Sequence, residues 1–171
     1  MGCAVLIVDM LNDFTLDDAP LRVEENRVII PNIRRLAEDK RKIGVPIVYV
    51  CDAHTRNDKE FDIWPKHCVK GTKGAQVVDE LKPQQGDFIV EKTTYDGFYN
   101  TVLDELLRGL DVDKLIITGC VSDICILHTA SSAVLRGYDV EIPLNCISSL
   151  NENSRQCAID HFKNVLNVKL V

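Results

Sequence analysis

The chain has 171 residues, 46 % of them hydrophobic and 27 % charged, a balance that suits one domain spanning 1–171 with a substantial core. Its formal net charge of −6 argues against a nucleic-acid binder, which would carry a basic patch or stripe. The opening MGCAVLIVDM has no basic leader and its apolar run stops at Asp9, so neither a signal peptide nor a membrane span is expected.

Seven cysteines are an odd number with no dense framework. Cys3, Cys51, Cys120 and Cys146 lie in or beside apolar runs, where a free thiol behaves as a small hydrophobe. Reduced thiols in a cytoplasmic protein are the expectation.

In chain order, Ala4–Val8 is a continuous apolar run of the kind that buried parallel strands show. Residues 24–42 read as a helix with Val28, Ile29, Ile33, Leu36 and Ala37 on one face. Pro31 leaves a second reading, in which the true first turn starts there after an irregular lead-in. Val45–Val50 is the next strand, and from Asp52 to Lys70 the periodicity gives way to a long polar and aromatic loop, a kind of segment that often carries function. A short helix is expected over Ala75–Leu81, a strand over Asp87–Glu91, a helix over Thr101–Leu110 and a strand over Lys114–Thr118. Ser122 or Asp123 is placed to cap a helix running to Arg136 and closed by Gly137. Tyr138–Ile142 is a fifth strand, Asn151–Phe162 a last helix, and Val165–Val171 contains a sixth strand. This alternation implies an α/β fold with a parallel sheet covered by helices on both faces. Neither Gly-x-Gly-x-x-Gly nor Gly-x-x-x-x-Gly-Lys-Ser/Thr occurs, so nucleotide-binding loops lack local support.

Open α/β sheets hold ligands at the carboxyl ends of their strands. Asp9 ends the first strand, Lys92 ends the third, and Cys125 opens the helix after the fourth. Taken singly they read as a turn residue, a solvated lysine and a core thiol. Gathered on one rim they make an acyl-transfer site. A helix N-terminus and an ammonium lower a cysteine pKa, a carboxylate can take the thiol proton, and turn amides can hold an oxyanion. His128 falls one turn inside the helix and reads as a packing or hydrogen-bonding residue.

The loop adds Asp52-Ala-His54 and, later, His67-Cys68, which offer oxygen and nitrogen ligands suited to zinc or iron, or else ordinary surface histidines. Cys68 is a possible soft ligand. Phe14, Trp64, Tyr95, Phe98 and Tyr99 gather near the same edge, as a pocket for a flat ring would need.

VDMLNDF at 8–14, DAH at 52–54, WPKHCVKGTKGA at 64–75, EKTTYDGF at 91–98 and TGCVSDICILHTA at 118–130 closely resemble the isochorismatase-like cysteine hydrolases. WPKHC with DAH upstream resembles the nicotinamidase branch. The resemblance implies a three-layer α/β/α fold with a six-stranded parallel sheet and a triad of Asp9, Lys92 and Cys125. It also implies a cis peptide at Cys120-Val121 and oxyanion donors at the Val121 and Cys125 amides. One divalent metal, zinc foremost with iron or manganese as alternatives, would sit on Asp52, His54 and His67, and Phe14, Trp64 and Tyr99 would stack on the substrate ring. The implied activity is hydrolysis of nicotinamide to nicotinate and ammonia, an NAD-salvage step. The implied setting is a cytoplasmic homo-oligomer that acts on a small aromatic amide and contacts neither nucleic acid nor membrane. Two alternatives stand beside it: a relative acting on another small amide or carbamoyl compound, and a non-catalytic member using the pocket for binding.

The chain departs from the pattern twice. NDKEFDI at 57–63 stands where many nicotinamidases have a further histidine, leaving water, Glu60 or Asp58 to take its place. CVSD precedes the nucleophile where small residues and threonine are more usual, although Ser122 keeps a hydroxyl.

Overall fold

Five consecutive residues, Ala4–Val8, have almost no exposed surface, which only a central strand covered on both sides allows. A computed structural model, describing residues 2–171, places them there. β1 (Gly2–Val8) pairs in parallel with β2 (Ile47–Asp52) on one side and β4 (Val112–Gly119) on the other. β3 (Phe88–Lys92) lies outside β2, while β5 (Asp139–Ile142) and β6 (Lys169–Leu170) extend the sheet beyond β4. The order is β3-β2-β1-β4-β5-β6, every pair parallel.

Alternate β1 side chains feed two cores. Ala4, Leu6 and Val8 pack with α3 (Leu103–Gly109), α4 (Leu127–Leu135) and α5 (Glu152–Asn164). Val5 and Ile7 pack on the other face against Ile29, Ile30, Ile33 and Ala37 of α2 (Asn26–Lys42). Three layers result. Leu6 is fully enclosed, so its truncation to alanine should cost about 2–5 kcal/mol.

Several local expectations need correcting. Pro31 does not open α2; it is the sixth helical residue, and the helix starts at Asn26. The preceding turn holds because Asn26, Ile29 and Ile30 are buried, with Asn26 Nδ2 donating to the Phe14 carbonyl at 2.8 Å. Val28 is 68 % exposed and lies off the apolar face. Ala75–Leu81 forms no helix; two 3₁₀ turns, Lys73–Ala75 and Asp79–Leu81, stand in its place. A short α1 (Asn12–Thr15) follows β1, and Asn151 caps α5 by accepting from Ser154 N at 2.9 Å.

The connections from β1 and β4 run to opposite sides of the sheet, leaving a crevice at the carboxyl ends of these strands. Val8 is in register with Val50 of β2 and Gly119 of β4, so the chain ends that follow them come together. Gly119 has φ +117°, and a Cβ there would sit 1.9 Å from the Val8 carbonyl oxygen. Only glycine lets the two strand ends approach this closely.

Candidate active site

Asp9 leaves β1 in a left-handed conformation (φ 52°) with its N–H on the Val50 carbonyl at 2.9 Å. That strained residue marks a position its surroundings enforce. Asp52 and Lys92 end β2 and β3 in register. On the far side of β1, Cys120 N donates to the Val8 carbonyl at 3.0 Å, the Cys120-Val121 peptide is cis, and a π turn over Ser122–Ile126 delivers Cys125 to the crevice. Neither Ser122 nor Asp123 caps this start. The Ser122 hydroxyl instead pairs with Ser149 Oγ at 2.6 Å.

Asp9, Lys92 and Cys125 are thus brought together. Lys92 Nζ lies 2.7 Å from Asp9 Oδ2, 2.5 Å from Asp52 Oδ1 and 3.7 Å from Cys125 Sγ. The approach to Asp9 Oδ2 is off the line a hydrogen bond needs, leaving that oxygen without a donor. Asp9 Oδ1 accepts the Asp52 N–H at 2.9 Å. The carboxylates of Asp9 and Asp52 and the Cys125 sulfur lie within 4.8 Å of one another. Among the described residues the Val121 N–H donates to no acceptor of the chain and is free to serve as an oxyanion donor.

Burial, reinforced by the Asp52 charge, pushes the Asp9 carboxyl up to about 6, while Lys92 pulls it back. Burial works against the Lys92 charge, but Asp52 and Asp9 outweigh it and hold the ammonium well above its usual range. The Cys125 thiol departs from expectation. Burial raises its pKa, and the Asp9 and Asp52 charges add to that, so Lys92 does not produce a resting thiolate. A neutral thiol close to the Asp9 carboxylate, with the Lys92 ammonium beside both, can surrender its proton as it attacks.

The 52–70 loop is ordered by its own hydrogen bonds. His54 N donates to the Cys68 carbonyl at 3.0 Å and Lys70 N to the His54 carbonyl at 2.9 Å, which lays residues 67–70 alongside the end of β2. Asp58 Oδ1 accepts Glu60 N at 3.1 Å and starts a 3₁₀ turn that aims Glu60 inward. His54 Nε2 then lies 3.7 Å from Asp52 Oδ2 and 3.9 Å from Glu60 Oε1. His67 Nε2 lies 3.9 Å and 3.7 Å from the same two atoms.

Both rings turn their Nδ1 outward, His67 donating to the Pro65 carbonyl at 2.7 Å and His54 lying 3.2 Å from Asp58 Oδ2. The Pro65 bond fixes the tautomer of His67, as outer partners of metal-ligating histidines do, whereas the approach of Asp58 to His54 lacks hydrogen-bond geometry. Both ring nitrogens of His54 are buried with no hydrogen-bond partner. Two carboxylates and an orphaned imidazole nitrogen around one point fit a divalent cation. Burial and the Asp52 charge push the Glu60 carboxyl up to about 7, a penalty that a cation there would relieve. Glu60 takes the fourth place in this set, and Asp58 stands behind His54. Cys68 is not part of it: φ is 43°, its N–H goes to Asp13 Oδ2 at 2.7 Å, and its sulfur faces the Gly74 carbonyl.

Asp9 and Cys125 of the triad and Asp52, Glu60 and His67 of the cluster open into one cavity of about 240 Å³, walled by Phe14, Trp64, Tyr95, Val121, Ile124 and Leu150. Phe14 packs on His67 with ring centroids 5.5 Å apart. Trp64 Nε1 donates to the Tyr95 hydroxyl at 3.0 Å. Tyr99 does not line the cavity; it is 60 % exposed, because Gly97 and Phe98 turn into the core and carry it outward. Tyr95 occupies the wall instead, a residue the sequence grouped with the aromatics without singling it out. His128 is exposed, donating to the Ile124 carbonyl at 2.7 Å and packing on Tyr95. Asp13, which anchors the segment carrying His67, went unnoticed because its hydrogen bond spans 55 residues.

Known proteins share this arrangement of chain and sheet. The structure of nicotinamidase/pyrazinamidase PncA from Bacillus subtilis matches with a TM-score of 0.94 and 30 % identity, covering 100 % of both chains. N-carbamoylsarcosine amidase from Thermoplasma acidophilum matches with a TM-score of 0.90 and 34 % identity over 99 % of this chain and 95 % of that one. The pyrazinamidase of Pyrococcus horikoshii, solved in complex with zinc, gives 0.94 and 28 % over 100 % and 99 %. Residues 3–169 match the isochorismatase domain model. The chain therefore belongs to the isochorismatase family and is homologous to its nicotinamidase/pyrazinamidase members.

Proposed function

We propose that this protein is a cysteine amidohydrolase that converts nicotinamide to nicotinate and ammonia through a thioester on Cys125. The observation that carries the reading is Asp52: one oxygen meets Lys92 of the triad and the other faces His54 and His67, so thiol and cluster serve one cavity. Asp52, His54, Glu60 and His67 would hold the metal, zinc foremost. When bound, that ion supplies a fixed Lewis-acid anchor for a ring nitrogen.

The chain's own residues carry the acyl transfer. Asp9 Oδ2 takes the Cys125 proton as sulfur attacks the amide carbon, and Lys92 balances the charge passing between them. The Val121 and Cys125 amides receive the carbonyl oxygen as it becomes anionic. Asp9 returns the proton to the amide nitrogen, the C–N bond breaks and ammonia leaves. Water, deprotonated by Asp9, then cleaves the thioester and restores the thiol. Phe14, Trp64 and Tyr95 hold the ring flat over the site.

A second reading is supported by the likeness to N-carbamoylsarcosine amidase: a carbamoyl compound attacked by the same thiol. Ammonia release from nicotinamide, pyrazinamide and a set of carbamoylated small molecules, with and without chelator, separates the two. The first reading expects nicotinamide to give the highest kcat/KM and chelator to abolish it. Turnover confined to carbamoyl compounds and indifferent to chelator would transfer the assignment to the second.

A further inference from the structure

Beneath the turn that carries Val121 runs a chain of buried polar contacts that touches the triad only where the Cys120 thiol meets the Asp9 carbonyl at 3.1 Å. Cys120 N and Ser122 N, on either side of Val121, are tied to the Val8 carbonyl at 3.0 Å and the Ser148 carbonyl at 2.8 Å. These two bonds set the direction of the Val121 amide. Ser148 is held in turn by its N–H on the Gly119 carbonyl at 3.1 Å and by its hydroxyl, which donates to Asn26 Oδ1 at 2.5 Å. Next to it, Ser149 N donates to Glu25 Oε2 at 2.7 Å, and Arg155 pairs with the other Glu25 oxygen.

Asn26 has no exposed surface and sits in the first turn of α2. Its Nδ2 donates to the Phe14 carbonyl at 2.8 Å and lies 3.4 Å from Thr15 Oγ1. One enclosed amide therefore joins the loop under the Val121 turn to the segment that carries an aromatic wall of the cavity. A buried amide costs free energy unless every bond is made, so such a group fixes its neighbours in one arrangement.

We infer that Asn26 is a positioning residue for the oxyanion side of the reaction, acting through Ser148 on the Val121 amide, and for ring binding, acting through Phe14. The inference rests on the amidase reading above. It separates two effects that a merely stabilising role would merge. Ser148→Ala removes the hydroxyl bond to Asn26, loosening the loop whose carbonyl holds Ser122 N, and leaves the Asn26–Phe14 bond, so kcat falls while KM holds. Asn26→Ala breaks both, so kcat falls and KM rises as well.

The test measures steady-state turnover of an amide that wild-type enzyme hydrolyses, and alkylation of Cys125 by iodoacetamide, followed by peptide mass spectrometry. Alkylation uses the thiol but develops no oxyanion. Ser148→Ala is expected to lower kcat roughly 10- to 100-fold, somewhat less than deleting an oxyanion donor outright, with KM and the alkylation rate within about twofold of wild type. The double variant should show no lower kcat than Asn26→Ala alone, since both act through one hydrogen bond. Unchanged kcat in Ser148→Ala, or kcat and alkylation falling together, would overturn the inference. Wild-type enzyme inert toward the whole amide panel would instead remove the amidase reading, and this one with it.

Discussion

Lys92 Nζ and Asp52 Oδ1 are 2.5 Å apart at the ends of two neighbouring strands, and that contact makes the triad and the acid–histidine cluster one electrostatic unit. Among the described residues Lys92 is the single lysine or arginine between two buried carboxylates. Replacing it with methionine keeps the volume but leaves Asp9 and Asp52 facing each other without compensation. Chemical denaturation should record a loss of about 3–5 kcal/mol, as breaking buried ion pairs does. A Lys92→Met variant as stable as wild type would show that the carboxylates do not depend on the ammonium.

Acid should silence the enzyme through Asp9. Its pKa is raised to about 6, chiefly by burial, so below that pH the carboxyl holds its own proton and cannot take the one on Cys125. Above it the base is ionised and kcat/KM should level off; below it, each pH unit should cost about tenfold. The pH–rate profile of wild-type enzyme checks this. An acid limb near the ordinary aspartate value of about 3.9 would contradict the environment described for Asp9.

Glu60→Ala and His67→Ala should each lower bound divalent metal per chain, read by elemental analysis after dialysis against limiting zinc. Losing one ligand, or the partner that orients it, typically costs at least 10- to 100-fold in affinity. Asp58→Ala should weaken binding less, since it acts only on the outer nitrogen of His54. Undiminished metal content in both ligand variants would dissolve the cluster as a metal site.

Much of this was readable in the chain because apolar runs mark strand ends and strand ends mark the functional rim. Asp9 and Lys92 each close such a run and Cys125 comes in the turn after one; parallel order brings the strand ends together, and the cis peptide and π turn complete the placement of Cys125. Other features depend on contacts that no local pattern encodes. Pro31 offered a second helix start because its N–H is missing, but the helix read over 24–42 holds nearly in full, since burial of Asn26 and Ile29 carries it back past the proline. Val28 fitted the helical period but lies just outside the stripe that α2 presents to the sheet. Tyr95 and Tyr99 were both plausible wall residues, and only the inward turn at Gly97 and Phe98 decides between them. The Ser148–Asn26 bond spans 122 residues and leaves no trace in spacing.

The two tyrosines offer a discriminating pair. Tyr95→Phe removes the acceptor of the Trp64 indole N–H and frees that ring, so KM should rise several-fold with kcat little altered; loss of one such bond costs about 0.5–1.5 kcal/mol. Tyr99→Ala, on the outer surface, should leave both constants where they are. A larger effect at Tyr99 than at Tyr95 would reverse the assignment of the cavity wall.

The most direct trial of the account is to quench wild-type enzyme during turnover of nicotinamide in acid and weigh the peptide that contains Cys125. The substrate's acyl group on that sulfur, a mass gain equal to nicotinamide less ammonia, absent from Cys125→Ser and never found on Cys120 or Cys68, is the expected result. Steady ammonia release with no acylated Cys125, or full turnover by the serine variant, would mean that the thiol is not the nucleophile.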